Sequence, residues 1–316
     1  MSGLRIGIDL GGTKTEGVLL GPDGRVIHRT RRPTPRGSAP AIVAAIADLV
    51  AELDACAGAG SPCPVGIGTP GSISPVTGCL RNSNTVELNG FPLRDALTAA
   101  LARPLRMAND ADCLALSEAA DGAAAGAGVV FGVIAGTGVG GGLVVHGRLL
   151  TGANGIAGEW GHNPLPWPQP GEYGAEAPLC WCGKRGCIET FLGGPGLAAD
   201  HQGRTGRACS AVDIVRLADA GDGDAADTLR RWTDRFARAL AGIVNVIDPE
   251  VVVIGGGLSN VPGLTDTLER ELPRWIFSDC LRTRIVPARH GDSSGVLGAA
   301  RLWPWPGSAV ETSAAQ

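Results

Sequence analysis

Two stretches of this chain share one design. Residues 5–20 (RIGIDLGGTKTEGVLL) and 129–150 (VVFGVIAGTGVGGGLVVHGRLL) each run from an apolar strand through a Gly-Thr turn into a second strand. The span from Gly12-Thr13 to Gly24-Arg25 nearly matches that from Gly136-Thr137 to Gly147-Arg148. Self-similarity on this scale points to an internal duplication, with two α/β domains that each open on a glycine-turned hairpin. Such a turn lets backbone N–H groups approach an anion closely. It is equally compatible with a plain β-hairpin that binds nothing. One detail favours the anion: Lys14 and Lys184 are the only lysines in an arginine-rich chain, and both lie inside motifs. Gly136, Gly138 and Gly141 also satisfy GxGxxG, but the strand LVV follows them where a dinucleotide turn must open a helix.

Further along the chain, spacing predicts a helix over 39–57, a short strand within 62–71, and a Gly-, Pro- and Ser-rich loop over 72–89. Asn82, Asn84 and Asn89 in that loop either bond sugar hydroxyls or satisfy turns. A helix over 94–102 and a strand over 104–108 lead into Asn109-Asp110-Ala111-Asp112 and another helix. Asp112 fits an N-cap. Asp110 lies at the strand's C-terminal end, where α/β sheets present catalytic groups, and reads as either a cap or a general base. Asp9, also at a strand end, suits a carboxylate that holds Mg²⁺ through water. Helices are expected over 192–202, 210–220 and 224–246, the last ended by Asp248-Pro249. The buried strand at 250–254 runs into Gly255-Gly256-Gly257, either a simple strand-to-helix turn or bare backbone for a nucleoside. A helix to 272, a strand near 285–286 and a helix over 294–303 complete the pattern, with a frayed tail beyond 304.

His162, Cys180, Cys182 and Cys187 form H-x17-C-x-C-x4-C. Thiolates with an imidazole select Zn²⁺, and four protein ligands make a closed, structural site. Three unpaired thiols or a redox pair are the alternatives. The remaining cysteines (56, 63, 79, 113, 209 and 280) are scattered singly, and the total of nine is odd, which argues against a disulfide framework. A zinc tether would bring Glu159 and Glu189 toward one polyol, whose hydroxyls carboxylates grip through charge-assisted hydrogen bonds.

The 316 residues suffice for two cores, and a net charge of −4 argues against a nucleic-acid partner. No run is apolar and long enough to span a membrane, and the first strand pattern starts at Arg5, so a cytoplasmic location is expected.

Taken together, IGIDLGGTKTEG, MANDAD, IAGTGVGGGL, GEWGH, CWCGKRGCIE, VVVIGGGLSN and HGDSSGVLGAA resemble the ROK family of sugar kinases and repressors over nearly the whole chain. That resemblance implies a two-domain actin/hexokinase-like (ribonuclease H-like) α/β fold with a cleft between the domains. The N-terminal domain would cover 1–118, completed by a C-terminal helix at 292–304, and the second domain 119–291. It implies that Asp110 is the base, with Asn109 beside it. Glu159, His162 and Glu189 match sugar contacts, and Gly71 and Asn84 weaker ones; His162 would serve zinc and sugar together. Asp9 matches the Mg²⁺-side carboxylate, Gly11, Gly12, Thr13, Lys14, Thr137 and Gly138 the phosphate loops, and Gly256-Gly257 the adenosine site. The expected reaction is ATP + hexose → ADP + hexose 6-phosphate, with ATP, Mg²⁺ and structural Zn²⁺ as cofactors and a homodimer as the assembly. GEWGHNPLPWP, IETFLGG and HGDSSGVLGAARLWPWP look most like bacterial fructokinase, with N-acetylglucosamine kinase or a broad glucose/mannose kinase as the alternative. The loop over 166–178 is where relatives differ in length. Two rivals are a sugar-responsive transcription regulator, which would need a helix-turn-helix ahead of Arg5, and a zinc-stabilised sugar-binding protein without catalysis.

Overall fold

The computed structural model describes residues 3–58, 62–173 and 177–304; the tail expected to fray beyond 304 lies outside them. The chain divides into two compact units, and the boundary falls inside a helix. One unit runs to Ser117 and includes Thr151–Ala157 and the stretch from Ser293 onward; the other holds Glu118–Leu150 and Gly158–Asp292. The segment Thr151–Ala157 thus groups with the first unit, not with the second domain in which its sequence position placed it.

In the first unit β1 (Arg5–Leu10), β2 (Lys14–Leu20) and β3 (Val26–Pro33) form an antiparallel meander. Beside β1 lie β4 (Val65–Thr69) and then, after the small hairpin β5 (Ser72–Ile73) and β6 (Leu80–Arg81), β7 (Leu105–Asn109). The sheet order is β3-β2-β1-β4-β7, with β1, β4 and β7 parallel. Strand β4 (VGIGT) is buried throughout, as a parallel central strand must be. Strand β3 (VIHRTRRP) was not expected from sequence. It is charged because it is an edge, and its arginines keep the open side from pairing further.

Helix α1 (Ala39–Ala57) starts at Ser38, whose Oγ accepts the Ala41 N–H at 3.3 Å, and buries Ile42, Val43, Ile46, Leu49, Val50 and Leu53. Helix α2 (Leu93–Leu101) follows, and α3 (Asp110–Asp121) leaves the C-terminal end of β7.

The second unit repeats the first. Strands β8 (Val129–Ala135), β9 (Val139–Val145), β10 (Arg148–Leu149), β11 (Val251–Gly255) and β12 (Arg284–Pro287) take the order β10-β9-β8-β11-β12. Their directions match as well: an antiparallel meander, then two parallel strands. The helices of this unit are α4 (Ile188–Leu192), α5 (Gly194–Thr205), α6 (Ala211–Asp219), α7 (Gly223–Ile247) and α8 (Leu264–Glu271); α4 lies against β9 and α8 against β12, while α5 and α6 pack on α7. The helix expected over 192–202 is broken at Gly193, because the Gly194 N–H turns to donate to Gly136 O at 2.8 Å.

Helix α7 supplies the centre of this core with Trp232, Phe236 and Leu240. It also buries two arginines. Arg238, with none of its surface exposed, donates to the carbonyls of Pro166 (3.2 Å) and Trp167 (3.0 Å) and pairs with Glu172 at 3.0 Å. Arg235 pairs with Glu172 at 2.7 Å and Asp200 at 3.0 Å. Burial alone would raise the Glu172 carboxyl, but Arg235 and Arg238 hold it below its usual value.

The last helix, α9 (Ser294–Arg301), returns to the first sheet, crossing β1 and β4 at Gly7 and Gly66, whose missing side chains admit the Val296 and Ala299 carbonyls. Among the described residues no helix is long and apolar enough to cross a membrane.

Candidate active site

In each unit the candidate residues gather where the parallel strands end, as the topology of open α/β sheets favours.

In the first unit, pairing of Asp9 with Glu16 and of Leu10 with Thr15 fixes the hairpin turn at residues 11–14. The Gly11 N–H donates to Lys14 O at 3.0 Å. Thr34 pins the turn from behind: its N–H donates to Thr13 O (3.1 Å) and its hydroxyl to Gly11 O (2.7 Å). Gly12, Thr13 and Lys14 are left exposed. Asn84 is also exposed and lies beside Gly12, where a Cβ would come 3.8 Å from its Oδ1.

Asp9 ends β1. Burial, followed by the charges of Asp110 and Glu16, pushes its carboxyl up to about 7 against the opposing pull of Lys14 and Arg31. Asp9 and Asp110 therefore share one electrostatic neighbourhood. Glu16 is buried and held by Arg31 (Nε to Oε2, 2.8 Å) and Arg29 (3.4 Å). The first turn of α9 also abuts Asp9, since a Cβ on Gly295 would lie 2.9 Å from Asp9 Oδ2. Sequence reading missed this neighbour, whose approach depends on the last helix returning to the first sheet.

Asn109 ends β7 and organises the next step. Its Nδ2 donates to Gly71 O at 3.1 Å, and its Oδ1 accepts the Ala111 N–H at 2.9 Å. Asp110 Oδ1 accepts that same N–H at 2.8 Å. Asn109 and Asp110 thus both cap the helix start, and Asp112, read as the cap, lies inside the helix, which begins at Asp110. Asp110 stands at the N-terminal, positive end of α3. Asn89 turns out to satisfy a turn, exchanging two 2.9 Å bonds with the Ser83 backbone.

In the second unit the turn between β8 and β9 is closed by Gly136 N–H to Gly138 O at 3.0 Å. Immediately after it, the Val139 N–H donates to Glu189 Oε2 at 3.1 Å, so Glu189 reaches the Thr137-Gly138 turn directly. That approach requires glycine at 138: a Cβ there would lie 2.4 Å from Glu189 Oε2. Glu159 is half-buried and precedes the single helical turn Trp160–His162. Trp160 anchors this turn through its Nε1 bond to Gly140 O (3.0 Å) and an edge-on contact with Phe131.

The four metal-ligand candidates converge, with one donor atom from each lying within 4.8 Å of all the others. Cys180 Sγ is 3.5 Å from His162 Nδ1, and the Cys182 and Cys187 sulfurs are 3.7 Å apart. A tetrahedral zinc with Zn–S of about 2.3 Å and Zn–N of about 2.0–2.1 Å separates its ligand atoms by roughly 3.5–3.8 Å. The donor set and its spacing fit that ion. Two isolated bridges, Pro164 to Cys187 and Leu179 to Arg185, hold the loop in place. Burial and the neighbouring thiols push Cys187 up to about 12, whereas Lys184, through its backbone N–H and its charge, helps to pull Cys182 below its usual value.

Gly256 follows β11 at φ +85°, and a Cβ on it would lie 2.4 Å from Ala135 O, which restricts the position to glycine. Gly257 opens the short turn Gly257–Asn260, and both glycines are exposed. Within units, then, Asp9, Asp110, Asn109, Gly71, Asn84 and residues 11–14 are neighbours, as are Glu189, His162, the three cysteines and residues 137–138.

Known proteins resemble this arrangement across its length. The N-acetyl-D-glucosamine kinase of Escherichia coli O6:H1 strain CFT073 is 43% identical over 304 residues, covering 94% of this chain and 98% of the relative. A ROK hexokinase structure from Thermus thermophilus superposes with a TM-score of 0.83 at 33% identity, covering 94% of this chain and 96% of its own. A ROK glucokinase from Streptomyces griseus, solved with glucose and AMPPNP, gives a TM-score of 0.75 at 28% identity over 95% and 98% of the two chains. The ROK family model matches residues 5–305, through both duplicated halves and the cysteine loop. By its duplicated sheets, its clustered side chains and these relatives, the chain belongs to the ROK family.

Proposed function

We propose that the chain is an ATP-dependent sugar kinase that transfers the γ-phosphoryl group to the primary hydroxyl of N-acetylglucosamine. The observation that carries the sugar is the 43% identity to an N-acetyl-D-glucosamine kinase over nearly the full length of both proteins. This moves the reading away from fructose, which the GEWGHNPLPWP and IETFLGG patterns had favoured, and toward the alternative.

Asp110 is the proposed base. It needs to accept the hydroxyl proton late in the reaction, since phosphoryl transfer passes through a loose transition state in which positioning and charge neutralisation dominate. The helix end beneath it and the Ala111 N–H it accepts help to fix its orientation. Asn109, tied to Gly71, holds the strand end from which Asp110 projects. Asp9 is the proposed Mg²⁺-side carboxylate. Mg²⁺, when bound with ATP, supplies charge neutralisation at the phosphates. A buried carboxyl near neutrality suits that role, because a nearby cation makes its ionised form favourable. Gly11, Gly12, Thr13 and Lys14 in one unit and Thr137 and Gly138 in the other are assigned to the phosphates, and Gly256-Gly257 to the nucleoside.

Glu159, His162 and Glu189 are the proposed hydroxyl contacts, with Gly71 and Asn84 in lesser roles. Zinc held by His162, Cys180, Cys182 and Cys187 would fix the loop that presents His162 and Glu189; with four protein ligands it leaves no position for activating water. A homodimer belongs to the same proposal.

An ADP-release assay across N-acetylglucosamine, glucose, mannose and fructose tests the sugar. The expected result is the highest kcat/KM for N-acetylglucosamine. A higher kcat/KM for fructose would restore the earlier reading, and no sugar-dependent ADP release would remove the kinase proposal.

A further inference from the structure

Trp181 lies between two of the zinc-type cysteines and is 62% exposed, so core packing does not explain its placement. Its Nε1–H donates to Glu189 Oε1 at 2.6 Å, and its ring stands edge-on to His162 with centroids 4.9 Å apart and planes at 85°. The other carboxylate oxygen, Oε2, accepts the Val139 N–H at 3.1 Å. Each Glu189 oxygen is thus fixed by one N–H donor; Oε1 also lies 3.9 Å from Cys180 Sγ, which as a zinc-bound thiolate has no proton to donate. An ionised carboxylate offers about four acceptor sites, two per oxygen, so one remains on each. Two donors held on opposite oxygens also set the plane of the carboxylate, which a single bond would leave free to rotate.

We propose that Trp181 is a positioning residue for the sugar: its indole N–H locks Glu189 so that the two remaining acceptor sites meet two hydroxyls. The Val139 bond ties the same carboxylate to the Thr137-Gly138 turn, and the Trp181 bond ties it to the cysteine loop. Trp181 therefore sets sugar affinity through Glu189 and takes no part in phosphoryl transfer. The inference rests on the proposed role of Glu189 as a sugar contact.

Trp181→Phe keeps a ring against His162 and deletes the N–H; Trp181→Ala deletes both. Sugar affinity without nucleotide, read by calorimetry with N-acetylglucosamine, should fall about tenfold or more in Trp181→Phe, the scale of a hydrogen bond to a charged group. KM for the sugar should rise in parallel, while kcat, KM for ATP and zinc content stay within twofold. In Glu189→Gln, adding Trp181→Phe should change sugar affinity less than twofold, because the two side chains act as one unit. Wild-type affinity in Trp181→Phe would overturn the proposal, as would loss of zinc or an equal fall in kcat, either of which marks a structural role. A wild-type protein that binds no sugar would instead remove the kinase reading, and this inference with it.

Discussion

Replacing Asp9 with asparagine should stabilise the ligand-free protein at pH 8 while removing a proposed active-site carboxylate. Asp9 is largely buried at the end of β1, and burial, then Asp110 and Glu16, push its carboxyl up to about 7. In the unfolded chain the group titrates near 3.9. Below about pH 4 both states hold the proton, and Asp9 does not penalise folding. Between about pH 4 and 7 the unfolded chain releases a proton that the folded chain keeps, so stability falls by about 1.4 kcal/mol per pH unit. Across some 3 units the loss reaches about 4 kcal/mol, complete once the pH passes the folded value. Asparagine, always neutral, escapes it.

Thermal unfolding of both proteins from pH 4.5 to 8.5, with chelator present, reads the difference. The variant's advantage should grow through that window to about 10 °C for the transition of the unit that contains β1, then stay flat above pH 7. Added Mg²⁺ and ATP should raise the wild type and leave the variant nearly unmoved. A gap that does not change with pH, or a variant less stable than wild type at pH 8, would refute the electrostatic reasoning.

Three further outcomes follow from the same geometry. Cys182→Ser should lose zinc by metal analysis and weaken sugar binding at the same time; intact sugar affinity in the zinc-free variant would contradict the scaffold role. Gly256→Ala forces a Cβ to within 2.4 Å of Ala135 O at φ +85°, so KM for ATP should rise about tenfold and stability fall by about 1–3 kcal/mol; unchanged nucleotide kinetics would argue against this turn as the nucleoside site. Arg238→Met leaves Glu172 short of one of its two buried arginines, and urea unfolding should show a loss of about 3–5 kcal/mol. Adding Glu172→Leu should recover part of that loss, and its failure to do so would place the defect elsewhere.

How much of this was legible in the sequence depended on whether the signal was local. The hairpin at residues 5–20 and its partner at 129–150 announced the duplication, and the observed sheets repeat strand for strand. Helix α1 was readable to the residue because Ser38 and its apolar spacing mark it locally. Strand β3 was not, since VIHRTRRP becomes a strand only by pairing with β2 and balancing Glu16. The break at Gly193 likewise depends on a carbonyl far away in sequence, Gly136 O. At the junction after β7 the right residues stood out, but the helix begins at Asp110 itself, ahead of the Asp112 that local sequence marked as its cap. The cysteine spacing revealed the metal-type cluster, while the Trp181–Glu189 bond and the approach of Gly295 to Asp9 exist only after folding. Sugar identity was the weakest reading, because short motifs weighed toward fructose where full-length similarity weighs toward N-acetylglucosamine.

The proposed kinase chemistry turns on Asp110 as the base. Asp110→Asn keeps the size and the acceptor oxygen facing Ala111 while removing the basic carboxylate. Single-turnover phosphorylation of N-acetylglucosamine, paired with calorimetric sugar binding, separates chemistry from affinity. The rate of Asp110→Asn should be lower by about a hundredfold or more, with sugar affinity within threefold of wild type. A near-wild-type rate in Asp110→Asn would contradict it.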